Sequence, residues 1–318
     1  MIPPITTLAD IAAGDRSPAA QVMAMVAPMA TLDNFRQQSG YSDPGRHTAL
    51  VLGIPDDLES LCAAARNTIV HYRGEFPDLP ADRHSEIDSR WLESILDLDQ
   101  SRHPAPLTEP RERTSRVAGC CRDHSLFLTG ALRARGVPAR NVVGFAGYFE
   151  PPFHHDHVVV DYWDGDRWVR TDPELAAGTF DFNVRDMPRG FGAPFQTAAE
   201  VWKGYRSGLL NPDQFGVAPD LPLRGPEFIG TYVVFQVAHR YGDELLLWDD
   251  WHSPSDPVVL DELAALLDRA DAGDHAAEAA LEQLYRSDAG LRPGETVTRF
   301  SPYGDPPVSD SLRRARRS

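Results

Sequence analysis

Two adjacent cysteines, Cys120 and Cys121, carry thiols that could act as nucleophiles, and they lie just before a segment with a helical pattern. Apolar residues follow them at helical spacing, and Gly136 and Pro138 are expected to end that helix. The sequence therefore predicts that both cysteines lie in the first turn of a helix of about fifteen residues. A thiol at a helix N-terminus is expected to have a lowered pKa, and the free N–H groups there can stabilise the oxyanion of an attacked carbonyl.

Of the three cysteines in the chain, Cys121 is the expected nucleophile. Ser125 and Leu128 continue one helix face from Cys121, so its side chain should point towards whatever the helix packs on. Cys120 is rotated by about 100° from that face and is expected to be a bystander. Cys62 lies on the apolar stripe of another predicted helix, which indicates a buried core residue.

A predicted β-hairpin supplies the two other groups that acyl chemistry needs. Two strand-like segments flank Asp164-Gly165, a dipeptide typical of two-residue hairpin turns. In that register His157 lies directly opposite Asp172, close enough for an imidazole–carboxylate hydrogen bond. With the cysteine they would form a nucleophilic triad. The thiol would attack an acyl carbon, the histidine would carry the proton, and the aspartate would orient the imidazole.

Four spaced motifs resemble the core of the transglutaminase-like superfamily, including its stand-alone bacterial members. The motifs are Gly119-Cys120-Cys121-Arg122-Asp123, the segment 132–140, His157, and Trp168 followed by Asp172-Pro173. The resemblance implies a papain-like α+β core in which the cysteine helix packs on an antiparallel sheet, with Cys121, His157 and Asp172 as the triad. Val159 and Asp161 stand where tryptophan and glutamate are common in the family, so the resemblance does not extend to the substrate contacts.

The remaining pattern predicts extra N- and C-terminal helices around this core, within one domain that spans residues 1–318. Strands are expected at 141–149, 156–163 and 166–172, and helices at 58–69, 85–98, 197–205, 258–269 and 274–286. Residues 232–238 fit either a buried strand or a short helix. The expected divisions are a transglutaminase-like core at about 55–190, a C-terminal helical and loop extension at 191–300, and a loose tail at 301–318.

Composition excludes several classes of function. The 318 residues carry 31 Lys and Arg against 47 Asp and Glu, a formal net charge of −16. Binding to nucleic acid or to an anionic membrane surface needs a basic patch, so neither partner is expected. Three cysteines cannot form a disulfide framework, the N-terminus lacks the basic start of a signal peptide, and no apolar run reaches the length of a membrane span. A cytoplasmic location is therefore expected.

Charged residues near the motifs are expected to be structural. A carboxylate in the first turn of a helix caps N–H groups and suits the helix dipole, which is the role expected for Asp123. Arg122 and Arg140 are expected to form ion pairs, and His124 is expected on the helix surface with its hydrogen bonds satisfied.

The sequence thus predicts a cysteine-dependent enzyme that forms or cleaves an amide through a thioester acyl-enzyme. Water as the acceptor gives a peptidase or amidase, and an amine gives an amide-forming acyltransferase. The expected substrate is a small-molecule or peptidyl acyl compound, with His155 and Trp168 as candidate contacts and no cofactor or metal. Two alternatives stay open. One is a non-catalytic binding protein on the same fold, and the other is a zinc site formed by the cluster 154–157 with Cys121 or Asp172.

Overall fold

A cysteine-bearing helix packed on an antiparallel sheet is the centre of the computed structural model, which describes residues 32–313. The helices are α1 (Thr48–Leu52), α2 (Leu58–Thr68), α3 (Leu92–Arg102), α4 (Cys121–Ala134), α5 (Ala198–Arg206), α6 (Pro226–Arg240), α7 (Pro257–Asp271) and α8 (His275–Ser287). The strands are β1 (Ile69–His71), β2 (Val117–Gly119), β3 (Ala139–Glu150), β4 (Phe153–Trp163), β5 (Trp168–Thr171), β6 (Phe195–Thr197), β7 (Phe215–Gly216), β8 (Asp249–Asp250), β9 (Thr296–Arg299) and β10 (Val308–Ser311). Expectations placed on residues 1–31 and 314–318 lie outside the described residues.

The central sheet has the strand order β5-β4-β3-β6, and its neighbours in that order run antiparallel. The short strand β7 adds to β4 in parallel. Helix α4 lies against β3 and β4, and the Ser125 hydroxyl donates a 2.8 Å hydrogen bond to the carbonyl oxygen of Val158. This arrangement confirms the predicted α+β fold with the cysteine helix on an antiparallel sheet.

The ends of α4 follow the local signals in its sequence. The helix begins at Cys121, with Cys120 as the residue that precedes the first turn. At the other end Gly136 has φ +74°, and its N–H and that of Val137 bond back to the carbonyls of Arg133 and Leu132. This is the closing pattern that a left-handed glycine allows, so the predicted helix and its terminating glycine are confirmed.

The predicted register of the β4–β5 hairpin is wrong by two residues. Val160 pairs with Thr171 and Trp163 with Trp168, so the connection is four residues long instead of two. The Asp164 carboxylate explains the longer turn, because it accepts 2.8 Å hydrogen bonds from the backbone N–H groups of both residues 166 and 167. A shift of two residues keeps every side chain on its original face, whereas a shift of one would have reversed them.

Two other segments differ from the prediction. Helix α3 begins at Leu92, seven residues later than expected, because residues 89–91 are extended and present the carbonyl of Arg90 to Arg122 Nη2 at 2.6 Å. Residues 308–311, in the segment expected to be loose, form β10 beside β9. Asp310 anchors that strand through ion pairs of 2.7 Å to Arg90 and 2.6 Å to Arg299.

The C-terminal helices pack on the sheet and on one another. The undecided segment 232–238 lies within α6, which packs on β3, while α5, α7 and α8 pack around α6 and one another. The expected helices at 197–205, 258–269 and 274–286 are confirmed as α5, α7 and α8. Within residues 32–313, no helix combines the length and apolar character needed to cross a membrane. The predicted domain divisions stay a prediction.

A buried ion cluster joins the sheet to the C-terminal helices. Asp161 on β4 is fully buried and faces three arginines, with 3.0 Å to Arg170, 2.9 Å to Arg189 and 3.5 Å to Arg140. Burial alone would raise the pKa of Asp161, but the arginines outweigh it and hold this pKa well below its usual range. Arg140 also pairs with Asp271 on α7 at 2.7 Å, which confirms that Arg140 is an ion-pair residue.

Candidate active site

His157 and Asp172 meet where β5 ends beside β4. His157 lies on β4, and Asp172 directly follows β5. His157 Nε2 lies 2.8 Å from Asp172 Oδ2, and both side chains are buried. In the observed register the two residues are diagonal neighbours on one face of the sheet. They were predicted to lie directly opposite each other, so their side chains span a longer distance than predicted.

Two further groups hold the Asp172 carboxylate. The Tyr148 hydroxyl donates a 2.7 Å hydrogen bond to Oδ2, and the backbone N–H of Glu174 donates one of 3.0 Å to Oδ1. Burial alone would raise the pKa of Asp172, but the charge and hydrogen bond of His157 lower it overall. Burial alone would lower the pKa of His157, and Asp172 raises it above the ordinary value. Asp172 therefore stabilises the protonated form of the His157 imidazole, the form that a proton transfer to His157 would produce.

Sequence reasoning missed Tyr148, and the reason is visible in the pairing of β3 and β4. The two strands pair regularly as far as Ala146 opposite His155, and the register then shifts before Glu150 pairs with Phe153. Tyr148 lies in this irregular stretch, so the alternation of side chains along a regular strand does not assign its face. No sequence signal places its hydroxyl against the aspartate.

Cys121 lies at the start of α4 and is buried, with 4% of its surface exposed. Its backbone N–H has no acceptor among the described residues and is free to bind an oxyanion. The expectation of a lowered thiol pKa is wrong for this state of the protein. The Cys120 thiol, burial, and the charges of Glu174 and Asp156 raise the pKa of Cys121 well above its usual range.

The same charged and polar residues act on the Cys121 thiol and on the His157–Asp172 pair. Glu174 raises the pKa of both Cys121 and His157, and Cys121 in turn raises the pKa of Tyr148, the residue bonded to Asp172. Among residues 32–313 no hydrogen bond joins Cys121 to His157. Since His157 uses Nε2 for Asp172, its Nδ1 is the nitrogen left to accept the thiol proton.

The first turn of α4 is fixed by its own charged residues. The Cys120 N–H donates a 2.8 Å hydrogen bond to Asp123, and Arg122 pairs with the same carboxylate at 2.8 Å, which confirms both expected roles. His124 differs from the prediction, because it is fully buried and its Nδ1 bonds the Cys120 carbonyl at 3.0 Å. Cys62 is buried in the core as predicted, and burial raises its pKa to about 12.

A histidine that the sequence did not single out lies on the strand next to the one that leads into α4. His71 ends β1 and is paired with Gly119, two residues before Cys121. Its Nδ1 accepts hydrogen bonds from the N–H groups of Arg73, at 3.2 Å, and Gly74, at 3.0 Å. A nitrogen that accepts carries no proton, so the neutral ring holds its proton on Nε2 and can donate it. The parallel pairing of β1 with β2 links distant segments, and no local pattern predicts it.

The two predicted substrate contacts have different positions. His155 is near the pair but engaged, with Nδ1 2.9 Å from the Val217 carbonyl oxygen and Nε2 3.3 Å from Glu150. The structure does not place Trp168 at the pair. It lies at the turn end of the hairpin, where its ring packs under Arg140 at 4.3 Å. Six residues of β4 separate that end from His157, about 20 Å of extended strand.

Aromatic side chains surround the imidazole of His157. The ring of Phe149 lies 5.2 Å from it and that of Tyr148 lies 6.1 Å from it, and Phe180 and Phe182 pack on Tyr148. Phe149 is 41% exposed and forms the outer edge of this group. A cavity of about 410 Å³ lies elsewhere, next to Arg133 and Arg240, and neither His157 nor Asp172 lines it. The approach to the His157–Asp172 pair is therefore bounded by aromatic side chains.

The zinc alternative finds no support in the geometry. In the described part of the chain, no three histidine, cysteine or acidic side chains are grouped closely enough to hold a metal ion. His157 is bonded to Asp172, and the ring of His154 stacks on Phe215 at 4.4 Å. These histidines therefore have protein partners instead of a shared centre.

Tyr148 is expected to position the His–Asp pair without touching the substrate. Replacing Tyr148 by phenylalanine removes one of the hydrogen bonds that hold Asp172 in place, so the carboxylate orients the imidazole of His157 less well. We expect the rate of Cys121 acylation to fall about tenfold, from a lost hydrogen bond to a charged group of ~1.5 kcal/mol. The measurement is the pH–rate profile, and a profile identical to that of the wild type would contradict this role.

Part of the chain is similar to a known family of proteins. The model of the transglutaminase-like superfamily matches residues 86–173. A crystal structure from Cytophaga hutchinsonii, described as that of a candidate cysteine protease, is 18% identical over 44% of this chain, with a TM-score of 0.29. The matched part spans 40% of that protein's length. A comparison with curated proteins finds no match.

Proposed function

We propose that Cys121, His157 and Asp172 form the catalytic triad of a cysteine-dependent acyl-transfer enzyme, because residues 86–173 match the model of the transglutaminase-like superfamily. The observation that carries this proposal is the 2.8 Å contact between His157 and Asp172, in one cluster with a thiol at a helix N-terminus. Nucleophile, proton carrier and orienting carboxylate are the three groups that acyl transfer to a thiol needs.

In the proposed reaction the thiol is neutral until the substrate binds. The pKa of Cys121 is raised by Cys120 and by burial, so a thiolate–imidazolium pair is not favoured in the free protein. His157 would take the proton as the sulfur attacks the acyl carbon. The unpaired N–H of Cys121 would stabilise the resulting oxyanion. The imidazolium would then protonate the leaving group, which leaves an acyl thioester on the enzyme.

The acceptor decides the reaction class. Water that attacks the thioester would regenerate the thiol and release a carboxylic acid, as in a peptidase or amidase. An amine would attack the same carbon, lose a proton to His157, and leave as an amide. The triad serves both reactions equally, because each uses the same base and the same oxyanion site.

The test is formation of the acyl-enzyme. Incubation with p-nitrophenyl acetate is expected to release one equivalent of nitrophenol rapidly and to leave an acetyl group on Cys121, identified by peptide mass spectrometry. The variant Cys121→Ala should give neither. Adding hydroxylamine to the acylated protein then compares transfer to an amine with hydrolysis. A protein that acquires no acetyl group at Cys121 would instead support the non-catalytic binding alternative.

A further inference from the structure

Phe149 is an exposed aromatic side chain next to the imidazole that the proposed reaction uses. Among the described residues three aromatic rings contact His157, those of Tyr148, Phe149 and Phe195, at 6.1, 5.2 and 6.3 Å. Phe195 is buried and Tyr148 is half-buried, whereas Phe149 is 41% exposed. Since His157 itself is buried, Phe149 is the ring through which the imidazole meets the protein surface.

Phe149 and Asp172 approach His157 from different directions along β4. The ring of Phe149 also lies 6.3 Å from the ring of His155, which precedes His157 on the same face of the strand. Asp172 directly follows the residue that pairs with Val160, so its carboxylate reaches the imidazole from the later part of β4. The Phe149 ring therefore lies away from the carboxylate, on the side of the imidazole that is left for a substrate.

A second phenylalanine extends the apolar surface of Phe149. Phe180, in the segment between β5 and β6, is half-buried, and its ring lies 6.4 Å from that of Phe149 and 5.0 Å from that of Tyr148. Beneath them Tyr148 and Phe182 pack against buried side chains of the sheet, including Val159. Phe149 and Phe180 thus form an outer apolar layer beside the imidazole, and adjoining apolar side chains at the edge of a polar site are typical of ligand contacts.

We propose that Phe149, with Phe180, forms a subsite for an apolar group, preferably aromatic, on the part of the substrate that leaves during acylation. This inference rests on the proposed function, because it names the substrate class of the same site. His157 donates its proton to the leaving atom at hydrogen-bond distance, so a ring centred 5.2 Å from the imidazole can contact the substituent next to that atom. Aromatic substituents fit best, because aromatic rings that meet edge to face gain energy beyond the burial of their area.

The acceptor of the acyl group is expected to use the same subsite. An acceptor attacks the thioester from the position that the leaving group has vacated, and it gives its proton to the same imidazole. An amine with an apolar group beside its nitrogen would be held there, whereas water gains nothing from the contact. The subsite would therefore favour transfer to such amines over hydrolysis.

The experiment compares two thioesters that carry the same acetyl group and leaving thiols of similar acidity, S-benzyl thioacetate and S-(2-methoxyethyl) thioacetate. With each, the Cys121 sulfur bonds to the acetyl carbon, the bond from that carbon to the leaving sulfur breaks, and the Cys121 proton passes through His157 to the leaving sulfur. Peptide mass spectrometry follows acetylation of Cys121, and reaction with N-acetylcysteine gives the intrinsic rate ratio of the two thioesters. We expect the benzyl-to-methoxyethyl rate ratio on the protein to exceed the intrinsic ratio at least about tenfold.

Variants of the two phenylalanines connect this ratio to the subsite. Phe149→Ala should lower it severalfold towards the intrinsic value, whereas Phe149→Leu keeps an apolar side chain and should retain more of it. Phe180→Ala should lower it in the same direction and serves as the second variant if Phe149→Ala does not fold. The matched control is Phe300→Ala, which removes a 47% exposed phenylalanine directly after β9. The rate ratio of this control should equal that of the wild type.

Two kinds of result would overturn the subsite. One is a wild-type ratio equal to the intrinsic ratio, or no reaction of Cys121 with S-benzyl thioacetate. The other is a ratio that is unchanged in both Phe149→Ala and Phe180→Ala. If p-nitrophenyl acetate still acetylates Cys121 in these cases, the subsite fails while the proposed function stands. If neither the thioesters nor p-nitrophenyl acetate acetylate Cys121, both proposals fail.

Discussion

Replacing His157 by alanine is expected to slow acylation of Cys121 by about 10²–10⁴-fold, the range that general acid–base catalysis supplies. The size of this expected decrease in rate follows from the protonation state of the Cys121 thiol. Since the pKa of Cys121 is raised, the sulfur needs a base at the moment of attack, and His157 is the base that Asp172 orients. The measurement is the single-turnover release of nitrophenol from p-nitrophenyl acetate.

The direction in which the acylation rate depends on pH follows from the His157–Asp172 pair. His157 acts as a base only when neutral, and Asp172 raises its pKa above 6.5. The acylation rate should therefore be high at alkaline pH and fall as the pH drops through this raised pKa. The variant His157→Ala should lose this step. Added imidazole should restore part of the rate.

The control for this experiment is His252→Ala, which removes an exposed histidine from the other end of the chain. Its rate and pH profile should match those of the wild type. An undiminished rate in His157→Ala would contradict its role as the base and would assign the proton transfer to another group, with His71 as the first to examine.

Replacing Asp161 by alanine is expected to lower the free energy of unfolding by about 3–5 kcal/mol, which makes it the largest stability effect we predict. The substitution removes the carboxylate that pairs with three guanidinium groups, those of Arg170, Arg140 and Arg189. Arg170 loses the most favourable contacts of the three arginines. Two of its nitrogens lie 3.0 and 3.3 Å from Asp161, and Asp161 raises the pKa of Arg170. Arg140 keeps Asp271 as a partner.

Urea unfolding at neutral pH measures this change, with Asp268→Ala as the control. Asp268 pairs with Lys203 on the surface, where both side chains are more than 40% exposed, and its removal should change stability by less than about 1 kcal/mol. Because the pKa of Asp161 is lowered in the folded state, its contribution is fully present above pH 3.8 and lost as the pH falls below that value. Equal stabilities of the two variants would contradict the role of the cluster.

Short-range patterns in the sequence were sufficient for the parts of the site that depend on nearby residues. The start of α4 at Cys121, its end before Gly136, and the burial of Cys62 follow from helix periodicity and end signals within a few residues. The pairing of His157 with Asp172 was also predicted, although through a register that is two residues out. The two side chains still meet because side chains alternate with a period of two along a strand, so a shift of two residues leaves both on the same face.

The tertiary structure decided the groups that set the reactivity of the thiol. Tyr148 reaches Asp172 from an irregular stretch of β3, and a parallel pairing between distant segments places His71 opposite Gly119, just before α4. The neighbouring Cys120 thiol, burial, and then the charges of Glu174 and Asp156 raise the pKa of Cys121, against the expected direction. The helix terminus that favours a thiolate is a local feature of the chain. Desolvation and the charges of distant residues depend on packing, so only the folded protein shows which of them prevails.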